Sequence, residues 1–185
     1  QLTDTNHDGV IDSLIFQVDM PANSSKQFQF SLNKKRLAGI TDPMVSYSRF
    51  VPERIDDYAW ENDRVAFRVF GPQARKLVEQ GKKGGIISSG VDCWLKRVDY
   101  PILNKWYQKH SDGTGDYHKD TGEGLDNYHV GKSLGCGASG SFHQGSLYSA
   151  GNFSGYKTHA VGAIRTSFEL NYKPWNTGKA VVKEI

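Results

Sequence analysis

A chain of 185 residues fits one domain, or one large piece of a longer protein, and is long enough to bury a core without staples. The net charge of +3 is a mild excess, not the clustered basic face of a nucleic-acid binder, and no apolar run approaches the length that spans a bilayer. Aromatic residues at 12% and 20 glycines suit β-structure with turns and side chains that stack on flat ligands.

The chain opens on Gln1, not Met, which fits a leader already removed. Leu14, Phe16 and Val18 then alternate with Ile15, Gln17 and Asp19, and Phe28 and Phe30 alternate with Gln27 and Gln29. Period two predicts two half-buried strands, joined by turn chemistry at Pro21–Ser25. The basic run Lys34–Arg36 reads as a solvated turn. Val65, Phe67 and Val69 share one face of a further strand, with Ala66, Arg68 and Phe70 on the other; the charge predicts that this second face lines something wet. Pro72 and Gly81 bracket a short helix. Residues 85–100 read as strand, 101–110 as a helical turn, 140–149 as a hairpin and 163–172 as a strand. The stretch from Trp175 sets up a turn and a new strand, inside which the chain stops. With no internal repeat, the expectation is a single all-β domain over 1–185 with minor helix. It is an antiparallel β-sandwich and the N-terminal part of a fuller fold.

Asp4, Asn6 and Asp8, followed by Gly9 and Asp12, match the first half of a calcium loop. The twelfth position is Ile15 where an EF-hand has an acid, and the plainer reading is an Asp/Asn/Gly turn opening a strand. Between Arg49 and Arg68 the charges surround Tyr58 and Trp60. Arg54, Arg64, Glu61 and Trp60 could hold a sugar acid, the guanidinium forking its carboxylate and the ring stacking on the sugar; the plainer reading is a surface ion-pair network.

The segment Asp116–Gly131 gathers Asp116, Tyr117, His118, Glu123, Asp126, Tyr128 and His129 on a stretch with one leucine and one valine, followed by Lys132. Three chemistries are open: His/Tyr acid–base work, a metal on His118, Glu123 and His129, or glycoside hydrolysis by Asp116 and Glu123. The plainer reading is a solvated polar loop, although Gly122, Gly124 and Gly131 suggest defined backbone. Cys136 and Ser139 lie among small residues without a G-x-S-x-G elbow. Cys93 and Cys136 allow one disulfide or two free thiols, and the sequence leaves both open.

The stretches from Arg49 to Pro72, Gly90 to Tyr107, Tyr117 to Gly140 and Ala163 to Tyr172, with the opening Asp4–Met20, resemble an uncharacterised-domain family of secreted bacterial proteins encoded in loci that degrade plant and algal polysaccharides. The resemblance covers nearly the whole chain. It implies a galactose mutarotase-like β-supersandwich that continues past this chain. It also implies an exported, secreted or periplasmic protein acting on acidic oligosaccharides, with dehydratase or lyase chemistry on uronate-containing sugars. Cys136 lies in the family's Gly-Cys-Gly motif and Cys93 outside its pattern, which speaks against a Cys93–Cys136 disulfide.

The expected function is therefore elimination of water or a sugar next to a uronate carboxylate. Arg54 or Arg64 would neutralise the carboxylate, His118 or His129 would take the α-proton, and Tyr117 or Tyr128 would protonate the leaving oxygen. Trp60 would be the stacking platform, with Glu61 and Lys132 also binding substrate. The alternatives are a non-catalytic carbohydrate-binding module, and a hydrolase using Asp116 and Glu123. Calcium at Asp4, Asn6, Asp8 and Asp12 is the one cofactor considered. The expected partners are an acidic oligosaccharide and the remaining C-terminal part of the protein, with no nucleic acid and no membrane.

Overall fold

The structure, a computed structural model, describes residues 1–31 and 44–182; the basic run Lys34–Arg36 lies outside them. Strands β1 (Leu2–Thr3) and β2 (Ser13–Leu14) pair first. Then come β3 (Tyr47–Val51), β4 (Asp57–Glu61), β5 (Val65–Val69), β6 (Asp92–Lys96) and β7 (Gly124–Asp126), a five-stranded antiparallel sheet in chain order. Helix α1 (Pro72–Glu79) follows β5, and α2 (Leu103–Ser111) follows β6. Three hairpins close the described chain: β8 (Gly140–His143) with β9 (Ser146–Ser149), β10 (Gly155–Ala160) with β11 (Ser167–Asn171), and β12 (Trp175–Asn176) with β13 (Val181–Val182). The protein is thus mostly antiparallel β with minor helix, in a sandwich-like arrangement. Among the described residues no helix is long and apolar enough to cross a membrane.

Local chemistry explains the sharpest turns. Asn62 Oδ1 accepts the backbone N–H of Arg64 and of Val65, at 2.8 and 2.9 Å, and so closes the β4–β5 turn. Gln144 and Gly145 both take left-handed backbone, at φ 48° and 78°, the requirement for a two-residue hairpin turn. Helix α1 starts on Pro72 and is followed by Gly81 at φ 66°, as the sequence predicts.

Alternation gives the five-stranded sheet two different faces. One carries Val51, Ala59, Ala66 and Trp94 beneath Leu103, Trp106 and Tyr107 of α2, with Ile102 and Tyr117 beside them. The other carries Phe50, Tyr58, Trp60 and Val69 against Phe153 and the β10–β11 residues Phe168 and Leu170. There Phe50 stacks on Tyr156 at 4.4 Å, and Phe168 contacts Tyr58 and Trp60 at 4.4 and 5.2 Å.

Three expectations need correction. Of the alternating stretch 14–30, only Leu14 lies in a strand, at the end of β2. Phe16 meets Phe28 and Phe30 at 4.9 and 5.5 Å, yet Phe30 stays 63% exposed, because among the described residues no layer receives this apolar row. The strand read over 85–100 shrinks to Asp92–Lys96, with irregular backbone before it. The helical turn expected at 101–110 is a nine-residue helix. Its N-terminus lacks a local side-chain cap, but the Glu61 carboxylate of β4 accepts the N–H groups of Ile102 and Leu103, at 2.9 and 3.1 Å. A buried anion at a helix N-terminus satisfies donors that the adjoining sequence leaves open.

Candidate active site

The face beneath α2 is built around one cation. Arg68 is central on β5, in register with Ala59 on β4 and Asp92 on β6. Two small residues, Ala59 and Ala66, leave room above the sheet, and the guanidinium lies between the rings of Trp94, Phe70 and Tyr117 at 5.3–5.4 Å. Its Nε donates to Asp92 Oδ2 at 2.7 Å and Nη1 to the Tyr117 hydroxyl at 3.1 Å. Nη1 stands 3.5 Å from Asp57 Oδ2, and Nη2 donates to Asp126 Oδ2 at 3.4 Å. Arg68 is only 5% exposed, so this face does not line something wet; its charge is matched inside the protein.

Three carboxylates share that guanidinium, and Oδ1 of Asp57 and of Asp126 is buried without a protein partner. Burial pushes the Asp57 carboxyl up to about 6, against the pull of Arg68. Burial, then the neighbouring Asp92 charge, push Asp126 up to about 6 as well. Asp57 follows a backbone reversal in which Ile55 and Asp56 take φ of 47° and 65°. A β-branched residue in that region is strained by roughly 1–3 kcal/mol. Gly71 permits the reversal: a Cβ there would come 1.7 Å from the Asp56 carbonyl oxygen.

Tyr117 and His118 cap this network. The Tyr117 hydroxyl accepts from Arg68 and, at 3.3 Å, from Arg54 Nε, while its ring lies on Trp94 at 4.8 Å. His118 Nδ1 stands 3.4 Å from Asp126 Oδ2 and 3.3 Å from the Asp126 carbonyl oxygen. The side chain is 46% exposed, so one edge of the ring is held by the network and the rest faces solvent. His110, at the end of α2, approaches the Tyr117 ring at 4.2 Å; burial, then Arg54, hold its imidazole below the usual range.

These contacts explain the polar segment 116–131. Tyr117 is a core residue, and Gly124–Asp126 is the edge strand of the main sheet. The Asp126 N–H donates to the Tyr117 carbonyl at 2.9 Å, closing the loop on itself. Gly124 lies at φ 112°, and a Cβ on it would come 1.9 Å from the Leu95 carbonyl oxygen.

The other sequence-predicted residues divide. His118, Tyr128 and His129 line one open hollow of about 430 Å³ with Leu125, Asp126 and Asn127. Tyr128 donates its hydroxyl to the Val91 carbonyl at 3.0 Å. Lys132 is exposed on the loop that follows. Arg64 is exposed at the β4–β5 turn and borders a separate hollow with Arg97 and Tyr100. Trp60 packs on the opposite face of the sheet from Arg68. Glu61 is buried, bonded to Lys96 Nζ at 2.9 Å and to the start of α2.

Asp116 and Glu123 border a cleft of about 80 Å³ beside Trp106. Burial pushes Glu123 up, but hydrogen bonds from Lys105, Tyr100 and Trp106 outweigh it and leave the carboxyl below its usual range. The His118 N–H holds Asp116 below its usual range too. In the N-terminal loop, Asp4 accepts the N–H groups of His7, Asp8 and Gly9, and Asp12 accepts the Thr5 N–H and hydroxyl. Asp8 takes the Asn6 side-chain amide and the Val10 N–H. These are the bonds of an Asx-rich turn. Among the described residues no three His, Cys, Asp or Glu side chains come together as a metal site.

A family described as a domain of unknown function, DUF4861, matches residues 1–185. The chain is 47% identical over 184 residues to the uncharacterized protein P7 of Formosa agariphila, covering 100% of this chain and 46% of that protein, so it spans about half the length of the relative. No solved structure matches. With the whole chain matched, the protein belongs to the DUF4861 family.

Proposed function

We propose that the chain belongs to an exported enzyme that eliminates water or a sugar from uronate-containing oligosaccharides, with His118 as the base. The observation that carries the reading is the His118–Asp126 contact of 3.4 Å at the wall of an open hollow, backed by Arg68. A carboxylate at Nδ1 fixes the imidazole orientation and leaves Nε2 as the nitrogen that accepts a proton.

The reaction then divides among neighbours. Arg54, half-buried and next to Tyr117, offers a cation for the uronate carboxylate, which makes the α-proton more acidic. His118 takes that proton. Tyr128 borders the same hollow and would protonate the leaving oxygen once its hydroxyl gives up the bond to the Val91 carbonyl, while Tyr117 holds the floor between Arg54, Arg68 and His118. If that oxygen joins the next sugar, the product is an unsaturated fragment; if it is a ring hydroxyl, the product is lighter by one water. Glycoside hydrolysis by Asp116 and Glu123 is less well supported, because that chemistry needs one carboxyl held protonated and both are held below their usual range.

The test is mass spectrometry of ulvan, pectin, alginate and glucuronan fragments after incubation with this chain and, separately, with the Formosa agariphila relative. Loss of water or unsaturated ends from any of them is the expected result. Binding without a mass change, undiminished in the His118→Ala/His129→Ala double variant, would replace the enzyme by a carbohydrate-binding module.

A further inference from the structure

Behind the hollow, the loop that carries His129 and Lys132 returns to the main sheet and pairs with the start of β6. Val91 forms a parallel bridge with Gly135, and the Cys136 N–H donates to the Val91 carbonyl at 2.8 Å. The Val91 N–H is shared between the carbonyls of Leu134 and Gly137, at 3.1 and 3.0 Å. Gly135 makes this approach possible: it lies at φ 60°, and a Cβ would come 2.1 Å from the Val91 carbonyl oxygen. Cys136 is thereby held against the strand that bears Cys93. Both are free thiols, Cys136 close enough to Cys93 to act on its titration, and the Tyr128 hydroxyl lies 3.1 Å from Cys136 Sγ.

From this geometry we propose that Cys93 and Cys136 form an intramolecular disulfide by exchange with a small-molecule disulfide such as oxidised glutathione. Cys136 is exposed and Cys93 only partly so, which divides the roles. Burial, then the adjacent Cys136, push the Cys93 thiol up to about 12, so Cys136 is the thiol that reacts first. Its thiolate attacks one sulfur of oxidised glutathione, the glutathione disulfide bond breaks, and one glutathione leaves as thiolate. Cys93 then gives up its proton and attacks the Cys136 sulfur, expelling the second glutathione. The protein loses two electrons and two protons, and one glutathione disulfide becomes two glutathione thiols.

The bond would close the segment that carries α2, Tyr117, His118 and Asp126 into a covalent loop, tying its far end to β6. This proposal does not depend on the reaction assigned to His118.

The experiment incubates the reduced full chain with oxidised glutathione, quenches in acid and maps the peptides by mass spectrometry after denaturation. Expected are loss of both free thiols, no retained glutathione, and a peptide pair joined through Cys93 and Cys136. Cys93→Ser should stop at one glutathione held on Cys136, since the resolving thiol is gone. Wild-type chain that keeps a glutathione adduct, or that keeps two free thiols, overturns the proposal, and so does a Cys93→Ser chain that takes up no glutathione. As a reading that needs no variant, the thermal midpoint of the oxidised wild type should fall when a reductant is added; an unchanged midpoint counts against the bond.

Discussion

The two faces of the central sheet are held by different physics. Toward β10–β11, Phe50, Tyr58 and Trp60 meet Tyr156 and Phe168 in aromatic contacts that gain mainly from burial. Toward α2, the same strands bury Arg68 among Asp57, Asp92 and Asp126, and Lys96 against Glu61. Buried ion pairs are a poor source of stability, since desolvation offsets most of their attraction. What they supply is fixed position. Apolar burial on both faces makes the sheet stable, and the ion pairs of the α2 face spend part of that stability to hold Asp126 where it meets His118.

If that contrast is right, Arg68→Met should be the most damaging single change, because it leaves three buried carboxyls without their counter-charge. A loss of roughly 3–5 kcal/mol in urea denaturation is expected. A loss below about 1 kcal/mol would mean that the acids are already neutral and the network is not ionic.

The pH dependence sharpens the same point. Asp57 and Asp126 are raised from the ordinary 3.8 to about 6, so the folded state binds their protons more tightly than the unfolded chain. Their contribution to stability is therefore present in full below the ordinary carboxylate range and is lost as pH rises through about 6, by up to about 3 kcal/mol for the fully buried Asp57. Urea midpoints should fall from mildly acidic to neutral pH, and Asp57→Asn should flatten that fall. An equally steep fall in the variant would remove Asp57 from the explanation.

Glu61→Gln should cost about 2 kcal/mol, since Lys96 loses its partner and α2 its charged cap. The decrease should appear as faster amide exchange in the first turn of α2. On the opposite face, Tyr58→Phe removes only the hydroxyl contacts to Thr158, at 2.8 Å, and to Ser48, at 3.3 Å. About 1 kcal/mol is expected there, and a larger loss would show that the apolar face depends on polar contacts too.

The period-two pattern of 65–70 carried both faces of the sheet, and Pro72, Gly81 and the Gln144–Gly145 turn were readable as local chemistry. Helix α2 was readable only as a helical turn over 101–110, not at its full length, because its cap lies on β4, 42 residues before Leu103. The row from Leu14 to Phe30 alternates well, but alternation cannot say whether a second layer is present to receive it. In the site, Tyr117, His118 and Asp126 stood out by residue type. Their dependence on Arg68, Asp57 and Asp92 was hidden, since only strand register brings those residues together. One signal was present and unused: Trp60 and Glu61 are adjacent on a strand, so they cannot serve the same face. The segment 116–131 looked like a loop with little to bury because Tyr117 counts as polar chemistry by type, while in the fold it lies on Trp94.

In the proposed reaction the buried charges orient His118 for proton abstraction. The deciding quantity is the rate of unsaturated-product formation from a uronate oligosaccharide by the wild-type chain and by His118→Ala, with stability to urea measured beside it. The expected result for His118→Ala is a loss of rate of at least about a hundredfold with a stability within about 0.5 kcal/mol of wild type. Full turnover by a folded His118→Ala chain would contradict it.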